Sequence, residues 1–241
     1  MKRKVLFVML VLSVFTFCLT LNVQAQQELD WELLSKSVVR IYNTEKEIKA
    51  TGFFIDEDKI VTNHHVVSSH DLSDDWTQSA VGNTVTVVYS LESNDFIDGI
   101  VIEDWPNVDL AIVQVEKGYT KREPLSLLDP NEIYVGMDIL LAGFPAIGCY
   151  LCDDLAVTKT IIRKINNSAQ FLETTVPFVK LNIDYPVGAG AWSGSPIIDE
   201  HGHVVGIYYV GTDGIGFGIS VGELEVRLNA RGYSYTKVSD K

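Results

Sequence analysis

Short apolar runs rich in Val, Ile, Thr, Tyr and Phe recur along this chain, and the gaps between them hold Gly, Asn, Asp or Pro. They lie at 38–42, 48–55, 59–61, 84–89, 96–102 and 110–115, then at 137–143, 157–165, 171–175, 179–183, 196–198, 204–210 and 216–221. Runs of this length and chemistry cover strands, and are too short to form the apolar stripe of a crossover helix. The pattern predicts an all-β chain closed as barrels or packed as a sandwich, and argues against βαβ units. The stretch 116–131 carries Gly118, Pro124 and Pro130 without sustained alternation, and reads as a linker between two β units. Two helices are expected. One covers 30–37, with Leu33 and Leu34 on its apolar side. The other covers 223–230, with Val226 and Leu228 facing inward and Gly232 just past its end.

The first residues read as an export signal. Lys2, Arg3 and Lys4 precede an apolar stretch that runs to about residue 21, and Val23-Gln24-Ala25 supplies small residues for cleavage before Gln26. An uncleaved anchor is the alternative, because the apolar stretch is nearly long enough to span a bilayer. Cys18 lies inside this segment and reads as a bystander. The expected product is secreted or periplasmic, with no stable membrane association after signal removal. Apolar residues make up 46% of the chain, enough for a substantial core, and the formal net charge is −13. So acidic a surface argues against nucleic acid or anionic lipid as a partner.

Cys149 and Cys152 form a C-x-x-C pair. In an exported protein the default for such a pair is a local disulfide. A thiol redox pair is the alternative, but that motif belongs at the start of a helix in a βαβ unit, and here it follows the loop-like stretch 143–148. A zinc site would need two further ligands, and none are evident nearby.

Three segments carry candidate chemistry. Gly190-Ala191-Trp192-Ser193-Gly194-Ser195-Pro196 places a serine in a tight turn whose backbone N–H groups can converge on one point. Acyl transfer needs that combination of nucleophile and oxyanion donors. Taken alone, the string also fits an ordinary hairpin turn. Thr62-Asn63-His64-His65-Val66-Val67 follows a strand and offers a base able to accept a proton near neutral pH. Asp109 opens the apolar run Leu110-Ala111-Ile112-Val113, so its carboxylate is expected to be partly buried and to need a partner. The order His, Asp, Ser along the chain is the one a two-barrel serine protease uses. His201 and His203 flank Gly202 in what reads as a polar hairpin turn.

From about residue 30 to residue 232 the chain resembles the trypsin-like serine protease superfamily, in its HtrA/Deg-type bacterial branch. The matching strings are Thr51-Gly52-Phe53-Phe54-Ile55-Asp56, Ile60-Val61-Thr62-Asn63-His64-His65-Val66-Val67, Val108-Asp109-Leu110-Ala111-Ile112, Val135-Gly136-Met137, Ser193-Gly194-Ser195-Pro196 and Gly202-His203-Val204-Val205-Gly206-Ile207. The resemblance implies two six-stranded antiparallel barrels with a short N-terminal helix and a C-terminal helix. The first barrel would cover about 31–117, the linker 118–131, the second barrel 132–222 and the helix 223–231, all inside a peptidase domain spanning 26–241 after a signal at 1–25. It is a resemblance to the protease domain without the PDZ domain usual in that branch.

The resemblance also implies roles. The base immediately precedes Val-Val and is therefore His65, leaving His64 at a variable position. Asp109 orients the base, Ser193 is the nucleophile, and the backbone N–H groups of Ala191 and Ser193 form the oxyanion hole. Val187, Gly188, Gly190, Tyr208 and Tyr209 are expected to wall the substrate pocket, which holds no acid placed to bind Lys or Arg and favours small or medium apolar side chains. A polypeptide substrate is implied, and no cofactor or metal. The chain departs from the family at Ala191, where glycine is usual, and at Trp192, where a smaller polar residue is usual. Those departures motivate a second expectation, a trypsin-fold binding or regulatory module with little turnover.

Overall fold

A computed structural model of the 241-residue chain describes residues 29–69, 77–90, 95–118, 122–145, 154–170, 177–184, 190–212 and 214–238. The export signal, Cys149, Cys152, Val187, Gly188 and the run at 171–175 lie outside the described residues. The chain enters through helix α1 (Trp31–Ser37), where the Asp30 carboxylate accepts the Leu33 N–H and caps the first turn. Strands β1 (Val38–Asn43), β2 (Ile48–Phe54) and β3 (Lys59–Thr62) follow, then the single-turn helix α2 (His64–Val67). Strands β4 (Thr84–Ser90), β5 (Asp95–Trp105) and β6 (Leu110–Gln114) complete a closed antiparallel barrel in the order β1-β2-β3-β6-β5-β4. A second closed barrel is formed by β7 (Asp138–Gly143), β8 (Ala156–Gln170), β9 (Pro177–Asp184), β10 (Pro196–Ile198), β11 (Val204–Thr212) and β12 (Ile215–Ser220), in the order β10-β11-β12-β9-β8-β7. Helix α3 (Val221–Arg231) follows β12 directly. The expected all-β, two-barrel architecture with flanking helices is what the chain adopts.

The continuous apolar runs arise because several strands are buried on both faces. Side chains alternate along a strand. In β2, Phe54 therefore fills barrel one while Phe53 points the other way, into a core shared by the two barrels. Ile60 and Val61 divide in the same manner, as do Ala111 and Ile112. In the second barrel Ile197, Val205 and Tyr208 fill the interior, while Ile198, Val204 and Ile207 join the shared core. That shared core packs the two barrels together along one seam.

One expectation is corrected. Val226 does not face inward; it is 67% exposed, while Leu224 and Leu228 are fully buried. Residues four apart share a helix face, whereas residues two apart point to nearly opposite sides. The stretch between the barrels is pinned. Leu125 donates its N–H to the Phe54 carbonyl at 2.9 Å, Leu127 bridges to Val204 and Lys237, and both leucines are fully buried.

Candidate active site

The base is delivered by the end of β3. Thr62 and Asn63 are fully buried, and the turn of α2 is anchored by Val66 and Val67 in the core of barrel one. His65 is left at the surface of that turn with 23% of its side chain exposed. Asp109 follows the 3₁₀ turn Pro106–Val108 in a left-handed conformation (φ 57°, ψ 45°). Aspartate tolerates that region better than most residues. Val108 and Leu110, fully buried on either side, fix the carboxylate at the barrel seam.

Asp109 has no exposed surface, so its charge must be satisfied internally. Its Oδ1 accepts the His65 N–H at 2.9 Å, and its Oδ2 lies 2.8 Å from His65 Nδ1. Asn63 Nδ2 donates to the Asp109 carbonyl at 2.8 Å. A carboxylate oxygen at Nδ1 favours the neutral tautomer with its proton on that nitrogen, which makes Nε2 the basic nitrogen of the ring. One carboxylate thus fixes both the backbone and the ring of the same histidine.

The serine turn is built from both barrels. The Ser195 N–H donates to the Trp192 carbonyl at 2.9 Å and closes the turn, while the Gly194 N–H donates to the Tyr208 carbonyl at 2.9 Å. Barrel one reaches across through Thr51 on β2. Its N–H donates to the Ser193 carbonyl at 2.9 Å and its hydroxyl donates to the Ala191 carbonyl at 3.2 Å. The Thr51 Oγ1 also accepts the Phe144 N–H at 3.0 Å, and the Thr51 carbonyl accepts the Thr62 hydroxyl at 2.8 Å. Gly194 adopts φ +81°, and a Cβ there would fall 2.0 Å from the Thr51 carbonyl oxygen. Only glycine permits so close an approach between the barrels.

Ala191 adopts φ 70°, a left-handed conformation that favours glycine. Trp192 is 2% exposed and packs in the core of barrel two with Tyr208, Leu141 and Ile183. The two departures from the family pattern therefore act together. Alanine adopts a left-handed backbone here, and the indole beside it anchors the turn in the barrel.

The Ser193 hydroxyl donates to the Tyr209 carbonyl at 3.2 Å. Burial, with the Asp109 charge second, raises the Tyr209 phenol well above its ordinary pKa. Tyr209 thus holds the serine through its carbonyl while its ring lies within the field of Asp109. Tyr209 is half-buried, Tyr208 is buried in the core of barrel two, and Gly190 is exposed. Thr51 lay within a matching string but carried no expected role. Its position two residues before the buried Phe53 was the only signal.

His201 and His203 belong to a structural turn. Asp199 Oδ1 accepts both of their backbone N–H groups, at 2.9 and 2.8 Å, and His203 Nδ1 lies 2.9 Å from Asp199 Oδ2. Among the described residues no group of three or more His, Cys, Asp or Glu is arranged to hold a metal ion.

Comparison with known proteins agrees with this fold. Residues 50–207 match the model of the trypsin-like peptidase domain family. Serine protease Rv3671c of Mycobacterium tuberculosis is 24% identical over 202 residues, covering 80% of this chain and 45% of the relative. The chain thus spans about half the length of the curated relatives it matches. The crystal structure of the Rv3671c protease in its inactive form superposes with a TM-score of 0.64 at 26% identity, covering 83% of this chain and 90% of that one. The HtrA-type protease AlgW with a tripeptide shares the fold, with a TM-score of 0.63 at 21% identity, covering 84% of this chain and 63% of that one. A match across most of both barrels makes the chain a member of the trypsin-like peptidase domain family.

Proposed function

We propose that this protein is a serine endopeptidase that cleaves polypeptides through an acyl-enzyme. The single observation that carries the reading is the buried Asp109 gripping both the backbone and the ring of His65 beside the Ser193 turn. In this mechanism the Ser193 hydroxyl leaves the Tyr209 carbonyl and turns to His65 Nε2. The imidazole removes the proton as Oγ attacks the substrate carbonyl carbon. The carbonyl oxygen gains negative charge and is met by the backbone N–H groups of Ala191 and Ser193. The imidazolium, stabilised by Asp109, then protonates the leaving amine. Water attacks the acyl-enzyme with His65 again acting as base, and Ser193 is restored.

Tyr208, expected in the pocket wall, is instead buried in the core of barrel two, and the half-buried Tyr209 beside the nucleophile is what supports cleavage after small or medium apolar residues. The export signal in the sequence supports action outside the cytoplasm, in the periplasm or beyond the cell.

A fluorophosphonate probe tests the assignment. Wild type is expected to be labelled and Ser193→Ala to remain unlabelled. Equal labelling of both would remove Ser193 from the mechanism. A well-folded wild type that takes no label would favour the binding or regulatory module suggested by Ala191 and Trp192.

A further inference from the structure

Helix α2 presents two consecutive histidines, and each meets its own aspartate. His65 lies on Asp109, as described. His64, with no exposed surface, places Nδ1 3.0 Å from Asp104 Oδ2. The two carboxylates bracket one short segment: Asp104 sits near the end of β5, and Asp109 caps the 3₁₀ turn that follows. Neighbouring positions of a single helical turn are therefore tied to both ends of the segment that supplies the orienting acid.

Asp104 is itself held firmly. Its Oδ2 accepts the Ala80 N–H at 2.7 Å, its Oδ1 accepts the Ser79 hydroxyl at 2.9 Å, and its side chain is 4% exposed. Burial alone would raise the pKa of this carboxyl. His64, the Ala80 N–H and the Ser79 hydroxyl outweigh burial and hold it below the ordinary value. The group is thus a buried anion whose partners cannot be withdrawn without leaving it unsatisfied.

A contact on one residue can act as a pivot. Adding a contact on the adjacent residue, to the other end of the same segment, removes the pivot. Tilting α2 to swing the His65 ring would pull His64 away from Asp104. The pair also ties α2 to the loop at 79–80 through Asp104.

We propose that His64 and Asp104 are positioning residues: their buried pair locks α2 against the Asp104–Asp109 segment and so sets the angle at which the His65 imidazole is presented. The inference rests on the assignment of His65 and Asp109 as base and orienting acid. A pair that serves stability alone would alter the melting temperature without altering the rate per folded molecule.

The test compares wild type with Asp104→Asn, His64→Gln and His64→Ala in the full chain. Asparagine keeps the shape of Asp104 and an oxygen facing Ala80 and His64 but removes the charge that holds the pair, and glutamine keeps a donor at position 64. Two properties are read. One is the fluorophosphonate labelling rate per folded molecule. The other is the low-field NMR resonance of the His65 Nδ1 proton, which needs no turnover. In Asp104→Asn and His64→Ala the labelling rate should fall by about ten- to a hundredfold, the scale of a small misplacement of a reacting group. The resonance should broaden in the same two variants, and His64→Gln should recover most of both properties. A folded Asp104→Asn or His64→Ala with wild-type labelling and a wild-type resonance would overturn the proposal. So would a change confined to melting temperature. If His64→Ala does not fold, Asp104→Asn and His64→Gln decide. If wild type takes no label, the hydrolytic assignment fails while the resonance still decides whether the pair positions His65.

Discussion

Ala191→Gly is the substitution whose sign says most about this site. Ala191 is held at φ 70° by the Thr51 hydroxyl on its carbonyl and by the burial of Trp192 beside it. A left-handed conformation costs a residue with a Cβ about 1–2 kcal/mol. Glycine removes that strain, but it also loosens the unfolded chain, which costs about 0.4–1 kcal/mol. The side chain is a single half-buried methyl, so little packing is lost. The balance runs from neutral to a gain of about 1.6 kcal/mol. For a chain of this size each kcal/mol moves the melting temperature by about 2–4 °C. Thermal unfolding should therefore show a midpoint unchanged or raised by up to about 6 °C, and fluorophosphonate labelling at least as fast as in wild type. At a position with negative φ the same change would destabilise, because only the unfolded-state cost would remain. A midpoint several degrees below wild type would refute the strained-turn argument and the view that alanine stands in for glycine here.

Three further outcomes follow from the same geometry. Asp109→Asn places an amide donor against His65 Nδ1 and favours the wrong tautomer; kcat for peptide hydrolysis should fall by about 10⁴ with little change in KM, and a loss confined to KM would contradict the orienting role. Thr51→Val leaves the Ala191 carbonyl and the Phe144 N–H without their partner; urea unfolding should show a loss of about 1–3 kcal/mol, with Thr51→Ser close to wild type, and equal stability of the two variants would show that the hydroxyl is not what ties the barrels. The Asp104 carboxyl is held below its ordinary pKa, so its contribution is present above the unfolded-state value and fades as pH falls through the folded one, below about pH 4. The stability gap between wild type and Asp104→Asn should accordingly be wide at neutral pH and narrow at pH 3 in urea titrations, and a gap independent of pH would count against an ionised, partnered Asp104.

The nucleophile turn hangs between the barrels and belongs to neither. Its backbone is pinned by β11 through Gly194 and by β2 through Thr51, and its only large side chain, Trp192, enters the core of barrel two. The base and its acid lie wholly on barrel one. A relative shift of the barrels would therefore strain the serine turn held between them, and the shared core built from Phe53, Val61, Ile198 and Ile207 opposes that shift. Stability and catalytic geometry are coupled through this seam.

Local chemistry written in the chain was enough for the strands, the two groups they form, and the segments carrying His65, Asp109 and Ser193. Apolar runs broken by Gly, Asn, Asp and Pro report strand pairing directly, and each segment of the site sits next to a run that anchors it. The unusual backbone at Ala191 was also foreseeable, because replacing a glycine in a turn leaves the required conformation unchanged. Tertiary structure alone decided the rest. Nothing local links His64 to Asp104 or Thr51 to Ala191, since each pair is separated by dozens of residues and meets only when the barrels close. The inward face of α3 was misjudged at Val226 for a different reason, since the helical period alone separates residues 226 and 228 and pairs Leu224 with Leu228. Sequence specifies which groups can react or pair; the closure of two barrels onto one seam determines which of them meet.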